Sequence, residues 1–455
     1  MAGRAVLVAG AGVTGRSVAR VLTAAGARIT VTDDAAHRLA TLADIPGVDL
    51  AAGLTEPPEG TELMVTSPGW RLDSPLFTAA VARGIEVIGE VELAWRIAAR
   101  LAAPPTWLVV TGTNGKTTTV GMLEAILRAA GLEAIACGNI GLPVVEVVGA
   151  GHRVLAVEAS SLQLHWSPSV RPAVGALLNL AEDHLDWHGD MAAYSAAKAR
   201  ALTGSIAVGG VDDHLVADLL ARAPARRRVG FTLADPAPGQ LGVRDGVLVD
   251  RAFGVDEQLA KVADIRPPGQ SGLLDALAAA AVARAYGVTT RAVSAGLAEF
   301  RPAPHRAEFV AEVGGVRYID DSKATNPHAA LASLRAHERV VWVAGGQLKG
   351  ASVDSLVAET AHRLRGAVLI GEDQEAIATA IARHAPDVPV RMLVGGNARD
   401  MAMVVREAGA MAHRGDVVLL APAAASFDLF ANYMERGRAF RDAVLAVTPT
   451  NEAKV

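Results

Sequence analysis

The chain has 455 residues, of which 51% are hydrophobic and 20% charged, with a formal net charge of -5. That length exceeds what one hydrophobic core organises, so two to four domains are expected, and the composition excludes a disordered protein. The weakly acidic balance leaves no basic footprint for nucleic acid, and the single cysteine, Cys137, excludes an internal disulfide framework.

The apolar run after Arg4 has the look of a short signal peptide, but its glycines and the immediate switch to helical spacing fit a strand and turn better. Nowhere is there an apolar run of membrane-spanning length, so a cytoplasmic protein without membrane insertion is expected, and a monomer. Residues 5–9 read as a strand, 15–25 as a helix, 28–32 as a second strand and 62–66 as another. Between the first strand and its helix lies Gly10-Ala-Gly12-Val-Thr-Gly15, and Asp33 ends the second strand where a dinucleotide fold places its ribose-binding acid. The motif points to a nucleotide diphosphate but names no nucleotide. Alone it also suits an NAD-dependent dehydrogenase, or a turn that is glycine-rich for packing. Ser67-Pro68-Gly69 is a further loop at the carboxyl edge of the same sheet.

A proline-bearing junction at 101–106 opens a second strand–helix region. Strand 107–110 runs into the small, polar stretch Thr111–Thr119, and 120–130 then has helical spacing until Gly131. Strand, glycine loop and helix start aim backbone N–H groups and the positive end of a helix dipole at an anion. Lys116 supplies a point charge for terminal phosphates and Thr117 a hydroxyl for Mg²⁺. Val110 stands where the first glycine of G-x-x-x-x-G-K-[ST] belongs, so the loop is short. The bland alternative is an ordinary turn with a surface lysine. An NAD enzyme has no need of such a loop in its next domain, whereas a ligase acting on a nucleotide-linked substrate needs both.

Further strands at 133–136, 153–157 and 174–178 place Asn139, Glu158, Asn179 and Glu182-Asp183-His184 at strand ends. These oxygen and imidazole donors suit Mg²⁺ and phosphate chemistry, although a lone one is more often a cap. Lys198 reads as a helix-surface lysine. The pattern weakens over 204–265, apart from a hairpin at 243–248 turned by Asp245-Gly246, and 273–286 is an alanine-rich helix. After a second proline junction at 300–305, strands recur at 317–319, 340–343, 367–370, 390–393 and 416–420. The expected fold is α/β in three domains. These are a Rossmann-like N-terminal domain (1–102), a central P-loop ATPase-like domain with a parallel sheet (103–301), and a Rossmann-like C-terminal domain (302–455).

The runs TGTNGKTTT, GNIG, VEASSLQL, EDHLDWHG and YSAAKAR, in this order, resemble the Mur ligases of peptidoglycan synthesis and their folylpolyglutamate synthase relatives. Four further stretches narrow the resemblance to the branch that takes D-glutamate: Asp320-Asp-Ser-Lys-Ala-Thr-Asn326, Pro304-His305-Arg306, the Gly-Gly-Gln-Leu-Lys run ending at Lys349, and the Ala-rich run through Ser426. The resemblance implies an amide-forming ligase that uses ATP with two Mg²⁺ ions and takes UDP-N-acetylmuramoyl-L-alanine and D-glutamate as substrates. It assigns Thr14, Gly15, Asp33, Ser67, Pro68, Gly69 and Ser160 to the UDP-linked substrate. ATP falls to Gly112, Thr113, Asn114, Gly115, Lys116, Thr117 and Thr118, with Asn139, Asp275, Arg306 and Asp321. Thr117 and Glu158 match ligands of one Mg²⁺, and His184 with Lys198, as a carbamate, those of the second. Lys116, His184 and Lys198 are the implied catalytic residues, and Thr325, Lys349, Ser426 and Tyr433 the D-glutamate pocket. One departure stands out. Ser271-Gly272 and Asp275 occupy positions where the family carries a His-Asn pair and a second Asn, and a carboxylate can only accept from an adenine edge.

Overall fold

The structure, a computed structural model, describes residues 2–302 and 304–447. Ala303 in the second proline junction, the 448–455 end of the expected third domain, Met1, and the side chains of residues 397 and 398 lie outside the described residues. Its strands form three sheets, one within each expected domain.

The first sheet comprises β1 (Ala5–Ala9), β2 (Arg28–Asp33), β3 (Val48–Ala52), β4 (Leu63–Thr66) and β5 (Glu86–Gly89) in the order β3-β2-β1-β4-β5. All its pairings are parallel, the Rossmann arrangement. Helix Val13–Ala24 packs so closely on β1 that a Cβ at Gly15 would lie 1.7 Å from the Gly10 carbonyl oxygen.

The second sheet holds β6 (Thr106–Thr111), β7 (Ala134–Gly138), β8 (Val154–Glu158), β9 (Val174–Leu177), β10 (Ile206–Gly210) and β11 (Arg227–Phe231). It continues through β12 (Gln240–Arg244), β13 (Val247–Asp250) and β14 (Glu257–Lys261), in the order β14-β13-β12-β11-β10-β9-β6-β8-β7. The strands from β7 to β12 pair in parallel, and β12 to β14 extend the sheet antiparallel. The expected hairpin is β12–β13, with Asp245 and Gly246 at φ 48° and 74°. The weak stretch thus holds two more parallel strands, hidden in the sequence by paired glycines in β10 and paired arginines in β11. Helix Gln270–Tyr286 buries every residue from Ala276 to Ala283, because small side chains let it lie within the core.

The first and second sheets belong to one compact unit, Met1–Arg266 with Gly272–Phe300. Buried carboxyls join them: Glu90 accepts the Val145 N–H at 2.6 Å, and Glu92 accepts the Ser169 N–H at 3.0 Å. Burial pushes the Glu90 carboxyl up to about 7.

Pro267–Ser271 and Arg301–Val455 form the second unit. Its sheet has β15 (Glu308–Val313), β16 (Val316–Asp320), β17 (Val340–Gly345), β18 (Leu364–Ile370), β19 (Val390–Met392) and β20 (Val417–Leu420), ordered β15-β16-β20-β17-β18-β19. Only the edge strand β15 is antiparallel. Trp342 is fully buried in the middle of this sheet and donates to the Ala421 carbonyl at 2.7 Å. No helix among the described residues is long and apolar enough to cross a membrane.

Close approach, not turn geometry, makes Gly15 a glycine. Gly15→Ala is therefore expected to lower stability by about 1–3 kcal/mol. Gly12→Ala, with open space at its Cβ, should leave the melting temperature near the parent's. Equal shifts in the two thermal melts would contradict this packing.

Candidate active site

The short loop between β6 and helix Lys116–Ala129 is shaped from three sides. Gly115 precedes the helix in the left-handed region at φ 83°, and a Cβ there would lie 2.1 Å from Asp275 Oδ1. Asp275 also accepts from the Thr119 hydroxyl at 3.2 Å, so it bears on the loop and the helix start from within. Gly115, as the N-cap residue, has no side chain to cap this helix, and the positive end of the helix dipole favours an anion there. Lys116 lies folded over the loop, donating to the carbonyls of Gly112 at 2.9 Å and Thr113 at 2.8 Å.

Asn179 is not the oxygen donor for a metal or phosphate that its strand-end position suggests. Its side-chain oxygen accepts the Asn114 N–H at 2.9 Å and its amide donates to the Asn114 carbonyl at 3.2 Å, while its own carbonyl accepts the Thr113 N–H at 3.0 Å. It grips the loop backbone as a neighbouring strand would. The Thr113 hydroxyl lies 2.9 Å from Tyr194 Oη and accepts the Ala181 N–H.

Beside this loop, Glu158 is 2% exposed at the end of β8. One carboxylate oxygen accepts from Asn139 Nδ2 at 2.9 Å, and among the described residues the other, Oε2, is buried with no hydrogen-bond partner. Lys198 corrects its surface reading outright. It is 2% exposed, and its amine donates to the Gly112 carbonyl at 2.6 Å. Burial, reinforced by the nearby charge of Lys116, holds its pKa well below the usual lysine value. The signal was present in the sequence: Tyr194, Ala197 and Lys198 share the helical spacing of a buried stripe, and all three are buried in helix Met191–Ala199. His184 is half exposed, in the left-handed region at φ 53°, at the start of the one-turn helix Leu185–His188.

In the first domain Asp33 is buried, and each carboxylate oxygen accepts a backbone N–H at 2.9 Å, from Ala11 and from Ala35. It fixes the glycine turn as well as facing it. Thr14 lies in the first turn of helix Val13–Ala24. The Ser67 N–H donates to the Ala9 carbonyl at 2.8 Å, placing Ser67-Pro68-Gly69 beside that turn. Ser160 forms a capping box with Gln163 at helix Ser161–His165, so its hydroxyl serves the helix start.

In the second unit, β20 lies between β16 and β17, and this order brings the loops after these three strands to one edge of the sheet. An isolated bridge between Gln347 and Ala425 brings the Lys349 bend alongside Ser426. Ala423 donates to the Ala324 carbonyl at 2.9 Å, next to Thr325, and Ser322 Oγ donates to the Tyr433 carbonyl at 2.8 Å. Lys349 is exposed at φ 53°, with its amine 5.8 Å from the Phe427 ring centre. His305, just before Arg306, is buried and paired at 2.6 Å with Asp320. Asp321 accepts the Ala307 N–H at 3.2 Å, and burial raises its pKa to about 6.

Sequence comparison decides the family. The Mur ligase MurD-like N-terminal domain matches residues 4–89, the Mur ligase middle domain 110–283, and the Mur ligase glutamate ligase domain 305–424. The chain belongs to the Mur ligase family. A UDP-N-acetylmuramoylalanine–D-glutamate ligase of Rhodococcus jostii is 54% identical, covering 97% of this chain and 95% of its own. One from Nocardia farcinica is 55% identical over 98% and 97%. The crystal structure of a UDP-N-acetylmuramate-alanine ligase from Thermotoga maritima shares the fold at TM-score 0.61, 17% identity and coverage of 97% and 99%.

Two parts of this Mur ligase escape sequence reasoning. Arg436 is 1% exposed and donates to Ser322 Oγ and to the carbonyls of Ser322, Gly345 and Ala424, stitching together the loops that follow β16, β17 and β20. Its partners are neutral, and burial pulls its pKa down to about 10. Its only sequence signal is that it shares a helical stripe with Gly437, Phe440, Ala443 and Val444. The second part is the aromatic group around Trp187: the run EDHLDWHG contains Trp187 and His188, but nothing in it shows that they pack with His165.

The Asn179 grip requires a donor and an acceptor on one side chain. Asn179→Asp removes the donor and adds a negative charge behind the phosphate loop. It should weaken ADP binding at least tenfold in calorimetry, about 1.4 kcal/mol. Unchanged affinity would remove Asn179 from the loop's architecture.

Proposed function

We propose that this chain joins D-glutamate to UDP-N-acetylmuramoyl-L-alanine, with ATP cleaved to ADP and phosphate. The observation that carries this reading is the convergence of the Asp320–Asn326 run, the Lys349 bend and the Ser426 turn on one sheet edge, in a Mur ligase whose relatives bear that name. The three expected domains, 1–102, 103–301 and 302–455, would take the UDP group, ATP and D-glutamate in turn.

A carboxylate forms no amide until its oxygen becomes a leaving group. The substrate carboxylate attacks the γ-phosphorus of ATP, forming an acyl phosphate and releasing ADP. The amine of D-glutamate then adds to the acyl carbon, and phosphate leaves. The N-terminal end of helix Lys116–Ala129 faces the transferred phosphate, while the Thr113 and Asn114 N–H groups stay on Asn179, and the Lys116 amine exchanges its carbonyl partners for phosphate oxygens. The guanidinium of Arg306 and the carboxyl of Asp321 fit the remaining phosphate and ribose contacts, and Lys349 fits a carboxylate of D-glutamate.

Mg²⁺ fits the second-domain edge on two counts: the buried, unpartnered Oε2 of Glu158, and an amine at Lys198 kept available for modification. A neutral Lys198 amine can form an N–C bond with CO₂ and release a proton to solvent, leaving a carbamate whose oxygens ligate where an ammonium cannot. Glu158 with Thr117, and His184 with this carbamate, would then hold two ions. When bound, Mg²⁺ supplies positive charge against the crowded phosphate oxygens.

In an ADP-release assay with UDP-N-acetylmuramoyl-L-alanine and a panel of amino acids, D-glutamate should be the one that sustains turnover. Activity with L-alanine or a diamino acid instead would overturn the assignment. Lys349→Ala should raise the KM for D-glutamate about tenfold or more, about 1.4 kcal/mol, with the KM for ATP within twofold. Equal effects on both would misplace the residue. Lys198→Ala should lose at least a hundredfold in activity, about 2.7 kcal/mol, and recover part of it with acetate or another short carboxylate. No recovery in a folded variant would count against the carbamate.

A further inference from the structure

A closed ring of aromatic residues crosses from the first sheet's loops to the second domain. Trp70 lies 5.9 Å from Phe77, Phe77 5.5 Å from Trp166, Trp166 5.0 Å from His165, and His165 5.0 Å from Trp187. Trp187 closes the ring by donating its indole N–H to the Trp70 carbonyl at 2.8 Å. At one end, Trp70 follows Ser67-Pro68-Gly69 beside the glycine turn. Ser67 Oγ is buried there with no partner among the described residues, and Gly69 has open space around it.

At the other end, Trp187 sits in the one-turn helix that begins at His184. Its N–H and that of His188 donate back to the His184 carbonyl at 3.1 and 3.0 Å. The His188 ring lies 5.4 Å from Tyr194, whose hydroxyl meets Thr113 of the phosphate loop and whose ring lies under the Lys198 amine at 4.9 Å. One hydrogen bond therefore ties the loop beside the glycine turn to the turn carrying His184.

We infer that Trp187 is a positioning residue that couples occupancy of the first-domain nucleotide site to binding at the phosphate loop. This rests on the reading of the first domain as the UDP site. A ligand that pins residues 67–70 also pins Trp70, and through it Trp187 and the left-handed His184. Part of the ordering cost of the nucleotide–metal site is then already met, and by linkage the effect is mutual.

The test is calorimetry on the full chain with Mg²⁺–ADP, which cannot react, with and without saturating UDP-N-acetylmuramoyl-L-alanine. In the parent, the UDP compound should tighten ADP binding about fivefold or more. In Trp187→Phe, which keeps the ring and loses the donor, each ligand alone should bind within twofold of the parent while the mutual effect falls below about twofold. Phe77→Leu, which opens the ring from the first domain, should show the same loss and serves if Trp187→Phe is unstable. Coupling that arises from direct contact between the two ligands would survive in both variants, and that result overturns the inference, as does a parent with no coupling. Failure of the UDP compound to bind the parent at all would overturn the first-domain reading itself.

Discussion

Two lysine amines meet at one carbonyl. Lys116 and Lys198 both donate to the Gly112 oxygen, at 2.9 and 2.6 Å, and the rest of the site is arranged around the repulsion this creates. Lys116 is half buried and can turn outward to a phosphate. Lys198 is sealed in, so the repulsion and the lost solvation act on the same group and favour its neutral form. The two amines thus differ in kind: Lys116 is partly exposed, and burial beside it makes Lys198 a much weaker base than an ordinary lysine.

The loop carrying that carbonyl is held without rigid chemistry of its own. Asn179 grips its backbone from the adjacent strand end, Tyr194 meets Thr113, and Asp275 fills the space that a Cβ on Gly115 would need. The same device recurs elsewhere. Glu90 and Glu92 fasten the first two sheets together, and Arg436 ties the loops after β16, β17 and β20. Glu90, Glu92, Arg436 and Asn179 meet backbone groups, while Tyr194 and Asp275 meet threonine hydroxyls, and such polar contacts fix loop geometry more tightly than apolar contact could.

Much of this was legible in the sequence where local rules suffice. The parallel strands around the two glycine loops, the Asp245-Gly246 hairpin turn and the strand-end position of Glu158 follow from periodicity and turn chemistry, whereas His184 lies beyond its strand, at the start of a one-turn helix. Strands β3, β5, β10, β11, β14 and β15 escaped because each is short, edge-placed or interrupted by charge or glycine, and only pairing with a neighbour makes it a strand. Lys198 and Arg436 escaped for a different reason. A basic residue on an apolar stripe reads as surface until the packing shows what covers it.

Asn179 and Asp275 carry this point furthest. Each is a polar residue expected at a ligand, and each has side-chain oxygen committed to the loop that meets the ligand. A carboxyl at 275 places negative charge beneath a phosphate site, which ought to oppose binding. Its Oδ1 is nevertheless turned toward Thr119 and Gly115, while the Lys116 amine lies on the Gly112 and Thr113 carbonyls. A helix N-terminus and a lysine both favour an anion at this loop, against the charge of the buried acid. The exchange of asparagine for aspartate at 275 is tolerable on this account because the residue serves the shape of the loop, and the positive charge is supplied by Lys116.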